Sequence, residues 1–172
     1  MILSLLGKSP LIDPTSWIAK NSVVTGDVVI DEESSVFFYS VIRGDVNHIR
    51  IGKRTNIQDG CIVHGSTGKQ ETIIGNDVTV GHRAIIHGCI IDDQSLIGMG
   101  AIIQDDVRVE SHVLVAAGSV VLQSKILKSG HLYAGVPAKM IRALDTSEIE
   151  EIILNSSKRY VSAGRSYMQA GV

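Results

Sequence analysis

A branched aliphatic residue returns at every sixth position through most of this chain. Ile12, Ile18, Val24, Ile30, Val36 and Ile42 make a first run; Ile51, Ile57 and Val63, then Ile74, Val80 and Ile86, make two short ones; Ile91, Ile97, Ile103, Val109, Val115 and Val121 make the last. Of the seventeen steps between these eighteen positions, fourteen are six residues long. That period matches neither a helix, at about 3.6, nor a strand, at about 2, and marks a repeat architecture. If three hexads close one triangular turn, every third aliphatic position lies on the same wall. Each coil then buries its interior only by stacking on the next. Composition agrees: 44% of residues are hydrophobic but only 4% aromatic, so branched aliphatics must fill the core.

Residues 1–140 are therefore expected to form a hexapeptide-repeat β-solenoid, with Gly52, Gly75, Gly81 and Gly98 serving corners and close backbone approaches. The pattern weakens through Leu127 and Tyr133 and ends at Gly135-Val136-Pro137. From residue 146 the period changes. Ser147 and Glu150 have capping-box spacing, and Ile149, Ile152, Ile153, Ser156 and Tyr160 would share one helical face. Residues 145–172 thus read as a helix packed back on the solenoid. A net charge of −2 without a basic cluster argues against nucleic acid as a partner. No stretch approaches the ~20 apolar residues that span a bilayer, and MILSLLGKSP lacks the marks of a secretory leader. The expected setting is cytoplasmic, with Cys61 and Cys89 as buried thiols.

The lattice is irregular at three steps, all leaving the wall of Ile42, Val63 and Ile86. Ile42 to Ile51 carries three extra residues, Val63 to Ile74 five, and Ile86 to Ile91 is one short. Insertions in a solenoid gather on one side, often the binding side. Beside them stand histidines. His64 follows Val63 and His87 follows Ile86, which places them at equivalent points of consecutive coils, ~4.8 Å apart. His82 lies eighteen residues after His64, but the five-residue insertion moves it to the second position after Val80, on the preceding wall. One rigid prism struggles to converge all three rings; prisms packed around a threefold axis would let His82 of one face His64 and His87 of the next. Three neutral imidazoles with an open fourth position are a catalytic zinc arrangement, and they suit iron or cobalt as well. On the same lattice, Arg43 sits below His64, while Asp59, with Gln58 beside it, sits below His82.

The runs Arg43-Gly44-Asp45, Asn56-Ile57-Gln58-Asp59-Gly60, Val63-His64, Gly81-His82, His87-Gly88-Cys89, Ile97-Gly98-Met99-Gly100-Ala101 and Gly135-Val136-Pro137-Ala138-Lys139 resemble the gamma-class carbonic anhydrase family, in its short bacterial branch. The resemblance implies an all-β, left-handed parallel β-helix with a C-terminal α-helix, assembled as a homotrimer. It implies a zinc-type site of His64 and His87 from one subunit and His82 from the next, where metal-held hydroxide attacks carbon dioxide and bicarbonate leaves. Arg43 and Asp59 match the family's interface pair and Gln58 a residue beside the metal-held solvent. Asn56 and Asp45 match further motif positions, and Tyr160 a tyrosine near the site.

The chain departs from the family at two points. Val46 stands where the archaeal prototype has a glutamate, and the loop from Gly65 to Glu71 is short where that prototype has a second one. Proton removal then needs another relay, for which Glu71 and His48 are the candidates. Two other readings remain open: a hexapeptide acyltransferase or acyl-CoA thioesterase, and a non-catalytic metal-binding trimer.

Overall fold

In the computed structural model, which describes residues 1–172, the six-residue lattice becomes three walls of parallel strands. Wall A stacks Val24, Ile42, Val63, Ile86, Ile103 and Val121 in direct register. Wall B stacks Ile12, Ile30, Ile51, Ile74, Ile91, Val109 and Leu127. Wall C stacks Ile18, Val36, Ile57, Val80, Ile97, Val115 and Tyr133. From Val24 onward every one of these side chains is buried in a single core. Ile12 and Ile18, on the open first coil, are only half-buried. Leu127 and Tyr133 belong fully to the lattice, so the solenoid runs further than the weakening sequence pattern suggests.

A second inward position lies two residues before each aliphatic one. Ser22, Ser34, Ser40, Thr55, Cys61, Thr72, Ala84, Cys89, Ser95, Ala101 and Ser119 fill it with small buried side chains, and Val28, Ile49, Val78, Val107 and Val113 occupy it elsewhere in the core. The hydroxyls satisfy carbonyls that the turning backbone exposes: Ser40 Oγ donates to the Gln58 carbonyl (2.6 Å) and Thr55 Oγ1 to that of Gly75 (2.7 Å). Burial pushes the thiols of Cys61 and Cys89 up to about 12, and both are free. They are inert packing groups.

One residue earlier the chain turns. Glu33, Arg54, Asp77, Arg83, Gln94, Asp106 and His112 all take φ between +53° and +60° there. Gly52, Gly75, Gly81 and Gly98, expected at corners, are not left-handed; they serve close approach alone. A Cβ on Gly81 would lie 2.8 Å from the Met99 backbone nitrogen, and one on Gly98 2.5 Å from that of Ala117.

The insertion after Ile42 does not leave as a free loop. It continues as one strand, Val41–Ile51, which turns the corner alongside Val23–Ile30 and bulges where the register shifts between Gly26 and Val28. At the far end, His131–Gly135 and Ala138–Ala143 form an antiparallel hairpin that closes the stack.

The C-terminal helix begins at Thr146–Glu148, passes through a π segment at Ile149–Leu154 and continues as Asn155–Gln169. Its capping box is Asp145 with Glu148, not Ser147 with Glu150. The π segment rotates the later turns, because it holds more residues per turn than an α-helix. Ile152 is consequently exposed, and the buried face runs through Ile153, Ser156, Ser157 and Gly164. That face seats on the first coils. Tyr167 stacks on Trp17 with ring centroids 4.6 Å apart, and Tyr160 meets Phe37 edge-on at 5.2 Å. No helix is long and apolar enough to cross a membrane.

The coil spacing leaves no slack at the glycines. Gly98→Ala should lower unfolding free energy by about 1–3 kcal/mol, whereas alanine at Gly118, whose Cβ would meet nothing within 4 Å, should bear only its left-handed backbone cost. Chemical denaturation of both variants checks the order; equal losses would contradict it.

Candidate metal centre

The ladder between walls fixes two imidazoles side by side. His64 ends the strand Ile62–His64, His87 ends Ile85–His87, and the two are paired residue for residue. The His64 carbonyl is pinned from two directions, by Thr72 Oγ1 (2.8 Å) and by the Gly88 N–H (3.0 Å). The rings come together with His64 Nδ1 3.3 Å from His87 Nε2. Two nitrogens on a tetrahedral zinc, each at about 2.0–2.1 Å, lie about 3.3–3.4 Å apart. The pair therefore has the separation that a shared ion requires.

Each ring's remaining nitrogen is held by a carboxylate. His64 Nε2 meets Asp45 Oδ1 at 3.1 Å and His87 Nδ1 meets Asp105 Oδ1 at 2.7 Å. Such contacts fix tautomer and ring orientation in metal-binding histidines. The other Asp45 oxygen takes a short hydrogen bond from Arg43 Nη1, and the other Asp105 oxygen accepts from Ser66 Oγ (3.2 Å). The polar chain thus runs Arg43, Asp45, His64, His87, Asp105, Ser66. Burial, followed by the positive charge of Arg43, lowers the pKa of His64, so its imidazole is neutral at pH 7. Burial alone would raise the Asp45 carboxyl, but the hydrogen bonds from Arg43 and His64 outweigh it and hold it below the usual range.

His82 stands apart, on wall C. Its Nδ1 lies 2.7 Å from Asp59 Oδ2, one coil below, and its backbone N–H donates to Gln58 Oε1 at 3.2 Å. Gln58 is buried and donates in turn to Asn56 Oδ1 (3.0 Å), while Asn56 donates to Thr79 Oγ1 (2.9 Å). Gln58 and Asn56 thereby brace His82. One Gln58 Nε2 hydrogen is left over, since an amide nitrogen carries two. Tyr160 of the helix shares a cavity wall with His82 and Asp59, and its hydroxyl pKa is raised by burial and then by the Asp59 charge. Within one chain no three ligating side chains converge on a common point. The separation of His82 from the His64–His87 pair is the one that hexad counting anticipates.

Two further residues meet beside the site. His48 and Glu71, one from each insertion, form a close pair through His48 Nε2 and Glu71 Oε2. Arg43 and Asp59 do not touch within the chain; Arg43 is paired with Asp45 and Asp59 with His82. Sequence reasoning missed Asp105 altogether. Its signal was Gly88, where a Cβ would collide with the Asp105 carboxylate on its way to His87. The loop after His64 is clamped to the same coil, because Asp106 takes Lys69 Nζ (2.8 Å) and the Gln70 N–H (3.3 Å).

A solenoid of hexapeptide repeats carrying carboxylate-braced histidines narrows the class before any comparison. No protein-family model matches the chain. It is 45% identical over 166 residues to the mitochondrial gamma carbonic anhydrase 2 of Arabidopsis thaliana, a match covering 94% of this chain and 59% of that longer protein. It is 42% identical over 167 residues to a carbonic anhydrase of Geobacillus kaustophilus, covering 97% of this chain and 91% of the relative. A crystal structure from Bacillus cereus, described as a candidate acetyltransferase, superposes with a TM-score of 0.96 at 40% identity, covering 98% of this chain and 97% of that one. The chain belongs to the gamma carbonic anhydrase family.

If Asp105 orients His87, Asp105→Asn should weaken zinc or cobalt binding by about 10–100-fold, read by chelator competition, with the fold unchanged by circular dichroism. Unchanged affinity would mean that the hydrogen bond merely accompanies the loop clamp.

Proposed function

We propose that this chain is a carbonic anhydrase-type enzyme that interconverts carbon dioxide and bicarbonate at a three-histidine metal site shared between the subunits of a homotrimer. The observation that carries the reading is the His64–His87 pair: nitrogens 3.3 Å apart, each ring held from behind by its own aspartate. A zinc-type ion, with iron or cobalt as alternatives, would be held by His64 and His87 of one subunit and His82 of the next, where it acidifies water toward neutral pH and acts as a Lewis acid. The donor set fits it: His64 is kept neutral, and a ligating imidazole must be neutral.

The protein's own groups divide the remaining work. Asp45 and Asp105 hold protons on the far nitrogens of His64 and His87, so the near nitrogens present lone pairs. Asp59, Gln58 and Asn56 aim His82 outward from wall C. Arg43 and Asp59 carry opposite charges on the two faces that a threefold assembly would bring together, and there they would pair. The spare Gln58 Nε2 hydrogen is available to the reacting oxygen, and Tyr160 narrows the approach from the helix side. His48 Nε2 and Glu71 Oε2 are in direct contact. They supply the relay in place of the family's glutamates, whose positions here are Val46 and a shortened loop.

Protein purified without oxygen and loaded with zinc, iron or cobalt should bind one ion per chain and hydrate carbon dioxide in stopped-flow measurements. His64→Ala should remove both properties. Retained metal with no hydration under any loading would favour the non-catalytic reading, and turnover of acyl-CoA the transferase or thioesterase one.

The shared site has its own test. His82→Ala chains and His87→Ala chains should each be inactive. Refolded together in equal amounts, about a quarter of the interfaces in random trimers would combine an intact His82 with an intact His64–His87 pair, and activity should return in that proportion. No recovery would place the site within one chain.

A further inference from the structure

The C-terminal helix does more than cover the first coils; it roofs a cavity of about 470 Å³ beside His82. Phe37, Phe38, Tyr160 and Tyr167 line it with aromatic rings, and Asp59, His82 and Arg159 stand at its polar end. That volume falls within the range of small-molecule sites, about 300–1,000 Å³, and is far more than carbon dioxide or bicarbonate fills. The rings are held edge-on to one another, with Phe38 and Tyr167 5.6 Å apart and Phe37 and Tyr160 5.2 Å apart, so the walls are preformed.

Charge chooses the occupant. Asp59 keeps its negative charge, but its carboxylate is tied to His82 at 2.7 Å. Arg159 is not engaged. Of the eight arginines, Arg43, Arg50, Arg54, Arg108, Arg142 and Arg165 each hold a carboxylate; Arg83 and Arg159 make no ion pair, and of these two only Arg159 lines this cavity. An unpaired guanidinium at the mouth of an aromatic cavity is a carboxylate receptor, because its planar donors match two carboxylate oxygens. We propose that this cavity binds a small aromatic or similarly flat apolar carboxylate, its ring among Phe37, Phe38, Tyr160 and Tyr167 and its carboxylate on Arg159. The site adjoins the proposed metal centre through His82, but its geometry lies wholly within one chain.

Trp17 provides the readout. It is the sole tryptophan, buried behind three rings of the cavity wall, at 4.6 Å from Tyr167, 5.1 Å from Phe37 and 5.6 Å from Phe38. The neighbouring groove over Gly81, Gly98 and Leu114 shares His82, Arg159 and Tyr160 with this cavity but neither Phe37, Phe38 nor Tyr167, the rings that touch Trp17. Benzoate titrated into the purified protein should change Trp17 emission saturably, with benzamide and benzylamine at least about tenfold weaker. Arg159→Gln should erase that preference and Arg159→Lys should retain part of it, both with unchanged circular dichroism. The titration is repeated after chelation, so its outcome is separate from that of the metal and hydration measurements. Three results would overturn the proposal: no saturable change, benzylamine binding as well as benzoate, or benzoate binding that disappears with the metal.

Discussion

Everything in this molecule hangs on the parallel ladder between coils, which repeats one vertical spacing from the first turn to the last. A ladder of that kind leaves no room to adjust. Where coils approach closely a Cβ does not fit, so Gly81 and Gly98 are required by their neighbours' backbones rather than by their own φ. Where the chain turns, φ is forced positive, and residues as unlike as Arg83 and His112 accept it. The aliphatic stack supplies the driving force, and the buried position two residues earlier, small on many coils, adds to the core at each corner.

The same rigidity turns spacing into location, which is why much of the site is legible in the sequence. His64 and His87 meet because each is the first residue after a lattice aliphatic. His82 sits over Asp59 because each is the second. The residues that escaped are those whose placement depends on a local break or a distant contact. Asp105 stands over Gly88 in the register of Ile103 over Ile86, and it reaches His87 past a residue that has no Cβ, a contact that spacing alone does not announce. The capping box moved to Asp145 and Glu148, and a π segment, which periodicity does not register, rotated the helix. The aromatic set of Trp17, Phe37 and Tyr167 has no period, since it joins the two ends of the chain.

Around the paired imidazoles, one polar chain runs from Arg43 through Asp45 to the rings and on to Asp105. The arrangement does two things with the same contacts. It keeps His64 unprotonated, through burial and the nearby guanidinium, and it dictates which nitrogen of each ring points away from the protein. Electrostatics and orientation are thus supplied by one network, so a change at either aspartate disturbs both.

The helix closes the first coils, not the last ones. Trp17 Nε1 donates to the Val172 carbonyl at 3.0 Å, Ser157 Oγ to that of Arg54 at 2.9 Å, and Arg165 reaches Glu33. During synthesis the coils around Trp17 and Phe37 leave the ribosome more than a hundred residues before the segment that covers them. The growing chain can therefore stack each turn on its predecessor as it emerges, yet it carries an uncovered aromatic face until the helix Asn155–Gln169 has been made. Emergence of the helix, not winding of the solenoid, is the event that seals this fold.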